Sequence, residues 1–278
     1  MKLTFVLLFI CLVNFKVCAQ EDSLKKTTLT LALMYNSNVS YYGQATNDKF
    51  PYVLANASLR LPFGLYFSAG SYKLLNYGSG LSETDFGMGY EYDFNDKFNM
   101  GIAYTRSFFP ANSPLLQAAN ENNISLTNSY NWGWFKSSLN TDYAFGKQRD
   151  VFVSLNNAKE ISLGSFLNDK NQIFIEPALE LSAGTQRYYE TYIIEKGKRG
   201  QSKGKGKGLD MQQGNDVTSA VETDKFSLLA YNFAFPLSLL RANYIAEVSY
   251  QLSVLGAQSQ TELKPVQSFF GVAFYYQF

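Results

Sequence analysis

The chain contains no histidine in its 278 residues. That absence removes a Ser/His/Asp triad, histidine zinc sites and imidazole general-base work. Its only cysteines, Cys11 and Cys18, lie in the first nineteen residues, so the remainder offers no disulfide, thiol nucleophile or thiolate metal site. Charge of either sign is also missing in excess. The 24 bases face 23 acids, and setting aside Lys2 and Lys16 leaves 22 against 23, a net −1. No global basic field speaks for nucleic acid. After the N-terminal segment no apolar run approaches the roughly 20 residues of a membrane-spanning helix. Nothing in these patterns implies a cofactor or a bound metal.

What is present begins with a leader. Lys2, an apolar run over residues 3–13 and the small residues of Val17-Cys18-Ala19 precede Gln20 and the acidic Glu21-Asp22. This three-part pattern predicts a secretory signal peptide over residues 1–19, cleaved after Ala19. Lipidation of Cys18 is the alternative, which Lys16 two positions earlier fits badly. Residues 20–278 then form one domain.

Aromatic residues make up 16% of the chain while mean hydropathy is slightly negative, at −0.16. The two facts are reconciled by strands with one apolar and one polar face. Residues 266–278, VQSFFGVAFYYQF, separate into Val266, Ser268, Phe270, Val272, Phe274, Tyr276 and Phe278 on one, almost wholly apolar row and Gln267, Phe269, Gly271, Ala273, Tyr275 and Gln277 on the other. Phe86, Met88, Tyr90, Tyr92 and Phe94 alternate with Asp85, Gly87, Gly89, Glu91 and Asp93. After Asn95-Asp96-Lys97, the residues Phe98, Met100, Ile102 and Tyr104 repeat the pattern. Similar rows occupy residues 27–35, 52–61, 65–73, 124–132, 135–145, 151–155, 172–189, 226–235 and 241–254, while 156–170 is ambiguous between loop, turn and short helix.

Short turns at 62–64, 95–97, 132–134 and around Pro236 alternate with longer polar connections at 36–49, 76–82, 109–122 and 257–265. Alternation alone does not distinguish a soluble sandwich from a membrane barrel. Short turns on one side and long loops on the other, with an even strand number, favour the barrel. The expectation is therefore an all-β, transmembrane, antiparallel up-and-down barrel of about 12 strands, with 10 or 14 as alternatives.

With the aromatic rows turned to lipid, the opposite rows collect Arg60, Asp85, Glu91, Asp93, Lys136, Asp142, Glu176, Glu180, Arg241 and Glu247 as lumen-lining candidates. Pairs on one strand face, Glu91 with Asp93 and Glu176 with Glu180, could share protons or a cation. Neutralisation by Arg60, Lys136 and Arg241 is the plainer expectation. Residues 196–208, KGKRGQSKGKGKG, hold Lys196, Lys198, Arg199, Lys203, Lys205 and Lys207 in a long connection. Such a loop either meets anionic lipid headgroups, lipopolysaccharide or an acidic partner, or is simply solvated. Its glycines lack the spacing of a phosphate-binding loop.

The leader ending Cys18-Ala19-Gln20, the repeated amphipathic strands and the terminal Tyr275-Tyr276-Gln277-Phe278 resemble bacterial outer-membrane β-barrels, especially the small barrels of Bacteroidota. The resemblance implies location in the cell outer membrane, with outer-membrane lipid and lipopolysaccharide as surroundings. It also implies recognition of the closing strand, through Phe274, Tyr276 and Phe278, by the barrel-assembly machinery. It carries no catalytic motif, and the barrel phospholipases, lipid A deacylases, palmitoyltransferases and omptin-type proteases that share this architecture use histidine. The functional expectation is a non-enzymatic barrel with a narrow or plugged charged lumen, serving as a small-solute channel or a structural component. The alternative is an accessory subunit of a larger outer-membrane complex for secretion, assembly or uptake.

Overall fold

The computed structural model describes residues 26–45, 48–110, 113, 115, 118, 120–166, 168–185, 226–256 and 264–278. The expected leader and the basic stretch 196–208 lie outside the described residues. Fourteen strand segments follow in chain order. They are β1 (Thr28–Asn36), β2 (Tyr52–Arg60), β3 (Leu65–Leu74), β4 (Glu83–Asp93), β5 (Phe98–Phe108), β6 (Asn122–Asn131) and β7 (Lys136–Phe145). Then come β8 (Arg149–Ala158), β9 (Ile161–Phe166), β10 (Asn168–Ile175), β11 (Ala178–Thr185), β12 (Phe226–Arg241), β13 (Tyr244–Leu255) and β14 (Val266–Gln277).

Two pairs of segments are single strands in space. The register of β8 against β11, Ala178 opposite Ala158, continues unchanged into β9 against β10, Ile175 opposite Ile161. The interruption falls where Pro177 and Pro236 lack the N–H a ladder needs. Glu176 N still donates to the Pro236 carbonyl at 3.1 Å, and Lys159 N to the Pro177 carbonyl at 3.1 Å. Counting β8 with β9 and β10 with β11, twelve antiparallel strands form the wall. It closes through β1 and β14, where Leu31 faces Tyr276 and Leu33 faces Phe274. Closure leaves no unpaired edge around the ring, which matters because an unsatisfied backbone group in hydrocarbon costs several kcal/mol.

The fold departs from the sequence reading in two places. Residues 156–170 are neither loop nor helix, but the run of β8 into β9 and the hairpin to β10. Their mixed side chains are tolerated because β9 projects beyond the wall. β7 begins at Lys136 opposite Ala158, so among the described residues β9 pairs only with β10. Pro236 is not a turn either. It lies inside β12, where pairing passes from β11 to β10, and the chain reverses at Ala242–Asn243.

The two side-chain rows take different surroundings. Leu33, Phe86 and Ile102 are more than half exposed on the outside, whereas Phe269 and Ala273 on the inner row are buried. Aromatic side chains crowd the short-turn end of the outer surface, with Tyr92 against Phe94, Tyr130 against Trp132 and Tyr276 against Phe278, at centroid separations of 4.9, 4.6 and 4.7 Å. Amphipathic rings at that level suit the boundary between hydrocarbon and headgroups. Phe278 N donates to the Leu29 carbonyl at 2.9 Å, tying the last residue into the closing seam.

Candidate functional site

Residues 37–51, which join β1 to β2, place their tip inside the ring. Tyr41 and Gln44 exchange backbone hydrogen bonds of 2.8 and 3.0 Å around Tyr42 and Gly43, whose φ values are +50° and +85°. Two central residues with positive φ make the tight reversal that matches strand twist. Glycine accepts that conformation freely, but for tyrosine it costs about 1–2 kcal/mol. Side-chain contacts must offset the difference.

Those contacts lie on the far wall. The Tyr42 hydroxyl donates to Asp142 Oδ2 at 2.8 Å, and its ring stacks on Phe152 at a centroid separation of 4.2 Å and 11°. Tyr41 meets the same Phe152 edge-on at 5.3 Å. Phe152 can lie flat because Gly184 stands beneath it, where a Cβ would be 2.4 Å from Phe152 Cδ1. Ala144 and Leu229 complete this platform. The tip thus runs from β1 and β2 to β7, β8 and β12, across the ring. At the base of the loop, Val39, Phe50, Tyr52 and Leu54 pack against Tyr72, Leu74 and Leu115. Asn38 Oδ1 accepts from the N–H groups of Val39 and Phe50 at 3.0 and 2.7 Å. The Ala45 carbonyl accepts from Gln267 Nε2 at 3.2 Å.

Carboxylates surround the tip. Asp142 also accepts from Ser125 Oγ and, at 3.2 Å, from Asn123 Nδ2. Asp150, buried, accepts from Asn120 Nδ2 at 2.6 Å and Thr185 Oγ1 at 2.5 Å. Burial pushes the Tyr41 phenol well above its ordinary range, and Asp150 and Asp142 add to the effect. Burial likewise raises Tyr42, with Asp142 reinforcing it.

Beside the loop, on the β11 to β14 side, remains a cavity of about 300 Å³. Asn36, Asn38, Ser40, Ser154, Asn232 and Gln251 supply amides and hydroxyls, and Tyr42, Tyr52 and Phe269 supply rings. Among the described residues Glu180 is the one carboxyl lining it, accepting from Ser182 Oγ at 2.8 Å and Asn232 Nδ2 at 3.0 Å. No cation pairs with Glu180 among the described residues.

The structure distributes the sequence-predicted residues unevenly. Asp142 and Glu180 are brought to the loop tip and its cavity. Arg60 on β2 and Glu91 on β4 form an ion pair of 2.5 Å that reaches across the intervening β3, so Glu91 is engaged by a base rather than by Asp93. Asp93 instead accepts from Asn99 Nδ2 at 2.6 Å and, with Lys136, lines a separate polar hollow of about 460 Å³ at the short-turn end. Glu247 accepts from Ser238 Oγ at 3.1 Å, and Glu176 continues the inward row four residues before Glu180. Arg241 requires a correction. It lies opposite Tyr244, itself opposite Tyr276, and therefore on the outward row. The misplaced turn at Pro236 had hidden this parity. Phe274, Tyr276 and Phe278 stand in the closing seam. Asp150, Asn232 and the Tyr41-Tyr42 tip escaped the sequence reading, although two adjacent tyrosines in an Asn/Ser-rich loop were the available signal.

The fold and its interior define a closed twelve-strand antiparallel barrel with an inward-folded loop. No protein family and no curated protein matches the chain. Solved structures similar to it include the KdgM porin, at 13% identity, with 90% of this chain and 99% of that one covered and a TM-score of 0.48. An outer membrane channel from Pseudomonas putida F1 is 10% identical, with coverage of 94% and 98% and a TM-score of 0.49. Salmonella typhi OmpF, in a complex with daunomycin, is 9% identical, with coverage of 90% and 97% and a TM-score of 0.33. No residue role is carried across at these values, and the fold described above rests on this chain's own strand pairing.

Proposed function

We propose that this protein is an integral, non-enzymatic outer-membrane barrel that passes small solutes through a bore narrowed by residues 37–51. The supporting observation is the Tyr42 tip bound across the ring to Asp142 and Phe152, with a polar cavity left beside it. An apolar aromatic outer row around a polar inner row is what a lipid-facing wall with a wet interior requires. The signal-peptide pattern and the resemblance of the closing strand to the small barrels of Bacteroidota fit export to that membrane. With the N-terminus periplasmic, the end of the barrel that carries the long connections is the external one, toward lipopolysaccharide. Single-channel recording of the purified full-length chain tests this reading. Discrete conductance steps are expected, and their absence over repeated verified insertions would overturn it.

One observation favours a second reading, an accessory subunit of a larger outer-membrane complex. The β9–β10 hairpin projects past the start of β7, with one edge of β9 unpaired among the described residues and Ile161 and Leu163 exposed; nearby, Lys159 Nζ stands 5.9 Å over the exposed Trp134 ring. An open strand edge accepts an added strand. Crosslinking from Leu163 in intact cells should then capture a specific partner, whereas solitary migration in mild detergent opposes this reading.

A further inference from the structure

We propose that the cavity beside the β1–β2 loop is a charge-selective passage that admits small cations and uncharged hydroxyl-rich solutes and rejects anions, with Glu180 setting that preference. The inference deepens the channel reading and rests on it.

Three observations carry it. The first is size. At about 300 Å³ the cavity is at the small end of ligand sites and holds roughly ten water volumes of ~30 Å³ each, enough for a monosaccharide-sized solute that sheds its outer hydration.

The second is donor and acceptor chemistry. Amide side chains from Asn36, Asn38, Asn232 and Gln251 present both donors and acceptors, which can replace the hydration of hydroxyl groups without favouring a charge. Tyr52 and Phe269 offer apolar ring surface to the C–H faces that such solutes also possess. Asn232 is 4% exposed, and its Oδ1 has no hydrogen-bond partner among the described residues, while its Nδ2 holds Glu180 and Ser182. That amide fixes the carboxylate at the cavity wall.

The third is charge. Among the described residues Glu180 has no basic partner, and around the same half of the interior Asp142 and Asp150 are held by hydroxyls and amides. Of the bases on the inward rows, Arg60 is neutralised by Glu91 and Lys136 stands in the hollow at the other end. An anion entering the cavity therefore meets an uncompensated carboxylate within a few ångströms, in surroundings less screening than bulk water. A cation meets attraction from the same group.

The test uses the purified full-length barrel in planar bilayers under a KCl gradient, together with proteoliposome swelling in glucose and in its carboxylate analogue glucuronate. The reversal potential should report a K⁺ over Cl⁻ preference on the order of tenfold, what one unit charge contributes at such range and intermediate screening. Glucose should enter faster than glucuronate. Glu180→Gln should abolish most of the K⁺ preference and narrow the glucose-to-glucuronate ratio. Gln251→Lys, on β13 in the lining of the same cavity, should invert the ion preference, so the inference stays testable if the first variant assembles poorly. Open channels with no cation preference, or a preference untouched by both substitutions, would overturn the assignment while leaving the channel reading intact. The absence of any conductance or swelling would overturn both.

Discussion

Replacing Tyr42 by alanine should release the loop that crosses the barrel. The change removes a hydroxyl donating to the Asp142 carboxylate at 2.8 Å and a ring stacked at 4.2 Å on Phe152. A hydrogen bond to a charged acceptor contributes about 1.5–3 kcal/mol and an aromatic pair about 0.5–1.5 kcal/mol, so docking should weaken by about 2–4.5 kcal/mol. At 1.4 kcal/mol per tenfold, the undocked fraction should rise by roughly 30- to 1,600-fold. The positive φ at position 42 persists in alanine, so backbone strain does not compensate. Single-channel records of Tyr42→Ala should show higher mean conductance and more frequent transitions between levels than those of the parent protein. Tyr42→Phe keeps the stack and loses only the hydrogen bond, and it should fall between the two. Asp142 retains Ser125 and Asn123 as donors in both variants, so collapse of the far wall is not expected. Identical conductance and noise in the parent and Tyr42→Ala, at equal insertion, would refute the idea that these contacts hold the loop across the bore.

Other expectations follow from the same geometry. Gly184→Val should tilt Phe152 off its seat and reproduce the loop-release records without touching the loop, because the added Cβ lies 2.4 Å from the ring. Gly43→Val, at φ +85° with its Cβ 2.3 Å from Asn232 Oδ1, should do the same from the loop side. In both cases, records matching the parent would count against the packing described. Since burial raises the Tyr41 and Tyr42 phenols above their value in an undocked loop, docking is fully stabilised below pH about 10 and weakens as pH rises beyond it. Conductance noise should therefore grow above pH 10 in the parent protein and change less in the Tyr41→Phe/Tyr42→Phe double variant. Leu33→Arg, on the outward row near the middle of β1, should cost about 2–4 kcal/mol in lipid, read as a lower urea midpoint of the folded band on unheated gels.

The wall was more legible in the sequence than the interior, for a physical reason. Lipid demands an apolar side chain at every second position, so residues 86–94 and 98–104 print their strand period directly. Where a strand leaves the lipid that demand lapses, and the Asn156, Asn157, Lys159 and Glu160 stretch loses its signature although pairing continues into β9. Pro236 misled in the opposite direction. A turn residue by habit, it is accommodated where Pro177 faces the same break in the ladder, and misreading it reversed the parity of Arg241. The inward carboxylates Asp142 and Glu180 were identified by parity alone. What brings them to one place is the non-local crossing of Tyr42, separated from Asp142 by 100 residues, and no period along the chain encodes that contact.

The most direct test of the account is the conductance of the unaltered full-length barrel reconstituted alone into planar bilayers. Small, uniform, cation-preferring steps are predicted from a bore narrowed by residues 37–51. A bilayer that stays silent after insertion is verified independently would contradict it.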